Sequence, residues 1–185
     1  MSAPAASATP PPAAPVTNPA RALRVIKIVV NSGVGESGET RSKAERVLEM
    51  VTHQKPIATR SRTTNRDFGI REGQEIGAKV TLRGEKAVEF LGRALDTRDR
   101  VLDPLSIDRR GGFSFGIPDY TDFAGMKYDP EIGVRGMDVT VEIGRAGWRV
   151  RDRTVAPRAI PRAAWITREE TRAFLAERFK VTFLE

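Results

Sequence analysis

An α+β fold, with a mostly antiparallel sheet covered by helices on one face, is predicted by three observations. Strand-like stretches arrive in clusters and do not alternate one-for-one with helices, which argues against a parallel, doubly wound sheet. Two segments carry the apolar spacing of amphipathic helices, and a capping box signals a third helix. Residues 1–20, MSAPAASATPPPAAPVTNPA, hold no charged side chain and cannot build a packed core. A single folded domain over residues 21–185, preceded by a disordered, partly polyproline-like tail over 1–20, follows from these. The tail lacks the basic start and apolar block of a signal peptide.

Leu23 to Val30 is rich in branched residues and reads as a central strand. Ala44, Val47, Leu48 and Val51 repeat at helical spacing, so residues 39–53 form a helix that Pro56 closes off. Ile57-Ala58-Thr59 starts a second strand, and Ile76, Ala78, Val80 and Leu82 alternate along a third. Glu85 to Arg98 gives a second helix with Ala87, Val88, Leu91, Ala94 and Leu95 on one side. Phe113, Phe115 and Ile117 alternate as a short strand, and Met137, Val139, Val141 and Ile143 as another. Thr167-Arg-Glu-Glu170 is a capping box that opens a last helix carrying Phe174 and Leu175 inward. Val181 to Leu184 closes the chain as a strand.

With 31 Lys+Arg against 24 Asp+Glu, the net charge is +7 and the pI about 10.2. That balance points to a polyanionic partner, nucleic acid or an anionic membrane surface. No run approaches the roughly 18 apolar residues of a spanning helix, so no membrane partner is expected. There is no cysteine, which removes disulfides and cysteine-based zinc sites, and the one histidine, His53, suits a helix cap better than a metal site. No catalytic constellation, resident cofactor or metal is expected. Asp119, Asp122 and Asp129 match no metal loop and suit turn roles.

Basic side chains concentrate twice. The stretch Lys55–Gly84 carries Arg60, Arg62, Arg66 and Arg71 between its two strand ends, a composition that suits a mobile loop able to touch phosphate or a plain solvated hairpin tip. On the strand that follows, Lys79, Thr81 and Arg83 share one face. Later, Arg145, Arg149, Arg151, Arg153, Arg158 and Arg162 fall in a segment whose only acid is Asp152, which suits an extended piece lying along a nucleic-acid backbone. Trp148 within it either stacks on a base or, the better reading beside a sheet, anchors the segment to the core. Gly33-Val34-Gly35-Glu36-Ser37-Gly38 spells a glycine pattern of nucleotide loops, but Glu39 stands where a P-loop needs lysine. A nucleotide-binding enzyme built on Gly33–Gly38 is the alternative reading. A non-selective basic protein of chromatin or membrane surfaces is a weaker one.

Four strings, KIVVNSGVGE, THQKPIATRSRTTNRDFGIREGQEIGAKVTLRG, GGFSFGIPDYTDF and KYDPEIGVRGMDVTVEIGR, stand in this order along the chain. From Leu23 onward the sequence resembles the family of the universal large-subunit ribosomal protein number five, the 5S ribosomal RNA binder, in its archaeal and eukaryotic form. The proline-rich tail departs from the family, as does His53 where the family has glycine. The resemblance implies a non-enzymatic constituent of the large subunit of the cytoplasmic ribosome, in the central protuberance. It implies 5S contacts at Asn31, Gln54 and Thr81, with Lys27, Ser32, Gly33, Lys79 and Arg83 beside them. The loop Thr59, Arg60, Ser61, Arg62, Thr63, Thr64, Asn65 and Arg66 matches the one that reaches P-site transfer RNA. Arg149, Arg151, Arg153 and Arg158 are expected on RNA as well, either 5S or 23S-type. Other large-subunit proteins, and small-subunit protein number thirteen across an intersubunit bridge, are the implied protein partners.

Overall fold

The computed structural model describes residues 21–36 and 38–184; the tail expected over 1–20 lies outside the described residues. Five strands form one antiparallel sheet: β1 (Leu23–Gly33), β2 (Ile57–Arg60), β3 (Glu75–Arg83), β5 (Phe113–Ile117) and β6 (Met137–Arg145), in the spatial order β2-β3-β1-β6-β5. The branched run of the first strand is thus central, paired on both edges. It extends three residues beyond Val30, because Asn31, Ser32 and Gly33 find partners in Lys79, Ala78 and Gly77. The Asn and Gly that read as a loop are held extended by those ladders, pairing overriding weak strand propensity.

Alternation gives the sheet an apolar face. Val30, Val80, Leu82, Val139, Val141, Phe113 and Ile117 are all buried on it. A bulge between Val25 and Lys27 resets the period, so Val25 and Ile28 both turn toward the core. Helices α1 (Glu39–Thr52) and α2 (Glu85–Asp96) pack against the sheet, burying Ala44, Val47, Leu48 and Val51 from one and Ala87, Phe90, Leu91, Ala94 and Leu95 from the other. Gly84, at φ 66°, turns the chain from β3 into α2 within one residue.

α4 (Arg168–Phe179) begins at the predicted capping box, with both reciprocal bonds between Thr167 and Glu170 present. A two-residue strand β4 (Val101–Leu102), not evident in the sequence, pairs in parallel with β7 (Thr182–Phe183), the closing strand. The arginine-rich segment after β6 is not extended: it contains a short helix α3 (Arg149–Asp152) and folds back through Arg158, whose N–H donates to the Val150 carbonyl.

His53 caps α1 in the left-handed region, φ 52°, and its N–H donates to the Glu49 carbonyl at 2.8 Å. A Cβ in that conformation costs roughly 1 kcal/mol, part of which glycine returns through a freer unfolded chain. His53→Gly is therefore expected to stabilise by roughly 0.5 kcal/mol, readable as a rise in urea midpoint at constant slope. A lower midpoint would show that the imidazole contributes more than the cap geometry does.

Candidate nucleic-acid interface

The face of the sheet opposite α1 and α2 is polar, and the strand register arranges it in rows. One row runs Ile57, Lys79, Asn31, Asp138, Gly116 from β2 to β5. The next runs Thr81, Val29, Thr140, Ser114, and a third Arg83, Lys27, Glu142. Asn31, Lys79, Thr81, Arg83 and Lys27 are thereby brought together on β1 and β3. Gln54 joins them from the turn after α1, its side-chain amide donating to the Thr81 carbonyl at 3.3 Å. Ser32 does not join them. Its side chain lies on the other face, 5% exposed, and its hydroxyl donates to the Gly136 carbonyl at 3.0 Å. Adjacent residues of a strand point oppositely, so Asn31 and Ser32 could not both face the same partner. Gly33 is exposed at the strand end.

Charge on this face is graded. The β3 side presents Lys79 and Arg83, while β6 contributes Asp138 and Glu142. Those two carboxylates are legible from the alternation of Met137–Ile143, and Asp138, which has no ion pair among the described residues, opposes phosphate at its end of β6. Glu142 is neutralised locally, 2.9 Å from Lys27 Nζ and 3.1 Å from Arg151. Burial pushes the Glu142 carboxyl up, but the hydrogen bonds and charges of Lys27 and Arg151 together outweigh it and hold the group below the ordinary carboxylate range. Arg151 also pairs with Asp152 at 2.8 Å, which is its main support, with Glu142 second; both hold its guanidinium protonated more firmly than usual. The hydrogen bond from Arg151 in turn holds Asp152 low. Lys27, Glu142, Arg151 and Asp152 form an internally balanced cluster of two cations and two carboxylates.

The arginine loop between β2 and β3 is a hydrogen-bonded hairpin extension and not an irregular loop. Ser61 and Gln74 close its base through the Ser61 N–H and Gln74 carbonyl at 2.8 Å, and Asn65 and Ile70 pair in both directions near its tip. Its hydroxyls serve the hairpin: Ser61 Oγ donates to the Thr63 carbonyl, and Thr64 Oγ1 accepts from the Glu72 N–H. Thr59 lies in β2, beside Gly77, where a Cβ would sit 2.9 Å from its hydroxyl. Arg60 is anchored to Glu75 at 3.3 Å, and Glu75 also holds Arg41 of α1. Arg62, Thr63 and Arg66 remain exposed, and the two arginines form no ion pair among the described residues. Phe68, 76% exposed, stands at the tip.

In the later basic segment, Arg145 is paired with Glu170 at 2.6 Å and Arg151 with Glu142, long-range partners that sequence spacing does not reveal. Arg153 donates through Nε to the Ala156 carbonyl, whereas Arg149 and Arg158 are exposed without an ion pair among the described residues. Trp148 is half-buried against the core. Asp119 and Asp129 accept from the N–H groups two residues on, as turn residues do.

The glycine loop does not form a phosphate cradle. The Val34 and Gly35 N–H groups both donate to the Ile76 carbonyl, at 3.1 and 2.9 Å, and the strands on either side of β1 run antiparallel to it. A dinucleotide fingerprint needs free amides at the end of a parallel strand. Among the described residues there is no cluster of three or more His, Asp or Glu side chains able to hold a metal ion.

The open sheet face gathers amides, hydroxyls and cations, the groups that suit docking of a polyanion. Residues 18–71 match the family described as "Ribosomal protein L5", and residues 75–181 match the C-terminus of that ribosomal family. The chain is 45% identical over 168 residues to the large ribosomal subunit protein uL5 of Picrophilus torridus, covering 90% of this chain and 96% of that one. To its counterpart from Methanoculleus marisnigri it is 48% identical over 159 residues, covering 86% and 95%. To that of Aeropyrum pernix it is 45% identical over 168 residues, covering 90% and 88%. The chain belongs to the L5 family of ribosomal proteins, and it is not an enzyme.

Proposed function

We propose that this protein is a structural constituent of the large subunit of the cytoplasmic ribosome, where its open sheet face binds 5S ribosomal RNA and attaches it in the central protuberance. The observation that carries this reading is the β1–β3 register, which sets Asn31 beside Lys79 and places Thr81 one row on, with Gln54 bonded to the same strand. Short neutral hydrogen-bonding groups flanked by Lys79 and Arg83 offer geometry for riboses and charge for phosphates. Asp138, across from Asn31, disfavours phosphate on the β6 side of that row. The exposed Arg62 and Arg66 of the hairpin reach P-site transfer RNA, and Arg149, Arg151, Arg153 and Arg158 lie toward 5S or 23S-type RNA. Other large-subunit proteins, and small-subunit protein number thirteen through a bridge, complete its contacts.

Asn31→Ala, Gln54→Ala and Thr81→Ala test the reading. Each removes about one net hydrogen bond, roughly 1 kcal/mol or about fivefold in 5S affinity, with unchanged urea midpoints expected for Asn31 and Thr81, whose side chains make no hydrogen bond among the described residues. Unaltered affinity in all three would remove this face from the interface.

A further inference from the structure

Two cavities meet where the segment after β6 leans over the open sheet face. The first, of about 520 Å³, is floored by the open-face residues Ser114 and Thr140 and walled by Trp148, Ile160 and Trp165. The second, of about 590 Å³, is lined by Arg24, Arg83, Arg145, Arg149 and Arg151 against the carboxylates Glu142 and Asp152. Trp148, Glu142 and Arg151 belong to both. Both carboxylates are already balanced by Lys27 and Arg151, and Arg145 is held by Glu170. Arg24, Arg83 and Arg149 have no ion pair among the described residues, so the second cavity carries uncompensated positive charge.

We propose that this double cleft receives a single unstacked nucleotide of the bound RNA, its base against Trp148 and its phosphate among Arg24, Arg83 and Arg149; this rests on the RNA-binding reading above. An aromatic-walled cavity suits the π-face of a base, and splayed bases are what such walls take from folded RNA. Ser114 and Thr140 line the same cavity, and their hydroxyls can donate to or accept from a base edge. Arginines suit the phosphate. The far wall is held in place: Trp165 Nε1 donates to the Ile160 carbonyl at 3.2 Å, and the Arg110 guanidinium lies 4.9 Å from the Trp165 ring centroid. A cleft held open in advance binds without an ordering cost. The register leads into it, since Thr140 lies across Val29 from Thr81 and Lys27 lies beside Arg83. An apolar peptide side chain would fill the first cavity but leave the arginines of the second without a counter-charge.

The test uses the full chain and 5S ribosomal RNA. Of the two tryptophans, Trp165→Phe leaves Trp148 as the sole emitter. RNA retention on a filter and Trp148 emission are followed in one titration. Emission is expected to fall at least twofold in step with retention. Arg149→Gln is expected to weaken binding about tenfold, the worth of a single hydrogen bond from a cation to phosphate. Ultraviolet crosslinking of the unsubstituted chain, which does not depend on that variant folding, should place one nucleotide on the peptide containing Trp148. RNA retained with emission unchanged and no crosslink at that peptide would overturn the cleft proposal while leaving RNA binding in place. RNA not retained at all would remove both.

Discussion

Gly111→Ala is expected to lower the melting temperature by roughly 6–12 °C. Gly111 has φ 81°, and a Cβ built on it would stand 2.7 Å from Ile166 Cγ2 and 2.9 Å from Thr171 Oγ1. Both neighbours are fully buried, and Thr171 Oγ1 donates to the Gly111 carbonyl at 3.3 Å. The strained backbone costs about 1–2 kcal/mol and the overpacking a similar amount, about 3 kcal/mol together. At about 2–4 °C per kcal/mol for a domain of this size, that gives the stated shift, measurable by calorimetry. Gly92, inside α2 with nothing within 4 Å of a built Cβ, is the control. Gly92→Ala should stabilise by about 0.5–1 kcal/mol. A small effect at Gly111 would mean that α4 is not seated on this turn as described.

Replacing residues 62–73 by an Asn-Gly turn is expected to leave 5S affinity within twofold and to lower P-site transfer-RNA occupancy about tenfold. Ser61 and Gln74 already meet through a 2.8 Å backbone bond, so a two-residue turn can close the strands without disturbing β2 or β3. The deletion removes Arg62 and Arg66, and a single charge-assisted hydrogen bond of about 1.5 kcal/mol is worth that factor of ten. Occupancy is read by filter binding of labelled transfer RNA to ribosomes carrying the variant. Loss of 5S binding would show that the hairpin and the open face are not separate surfaces.

Much of the fold was legible because its determinants are local. Phe113, Phe115 and Ile117 alternate without interruption, and Thr167 and Glu170 state their own helix start, so both elements stand where the pattern puts them. β4 escaped notice because two residues carry no period, and only the fold brings Val101 to Thr182 of the closing strand that the sequence does announce. The strand identity of Asn31–Gly33 was hidden for a related reason: polar residues and glycine became strand through the ladders to β3 and β6. The side of β3 that carries Thr81 could be read from alternation. That Gln54 reaches the same strand was not legible, because a turn residue has no periodic address; the resemblance gives it only as a contact to the same RNA. The availability of individual arginines was illegible. Arg145 and Arg149 look alike in sequence, yet Glu170, 25 residues from Arg145, engages one and not the other. The ordering of the arginine hairpin also depends on cross-strand bonds such as that between Glu72 and Thr64, which composition does not disclose.

Equilibrium binding of the full chain to 5S ribosomal RNA and to an unrelated folded RNA of equal length, across a salt series, tests the central claim most directly. The open face holds neutral hydrogen-bonding groups beside its cations, and only the cationic part of the affinity should fade with counterion release. Tight 5S binding with a preference over the competitor that persists as salt rises is the expected result. Equal affinity for the two RNAs, falling together along one steep salt slope, would contradict it.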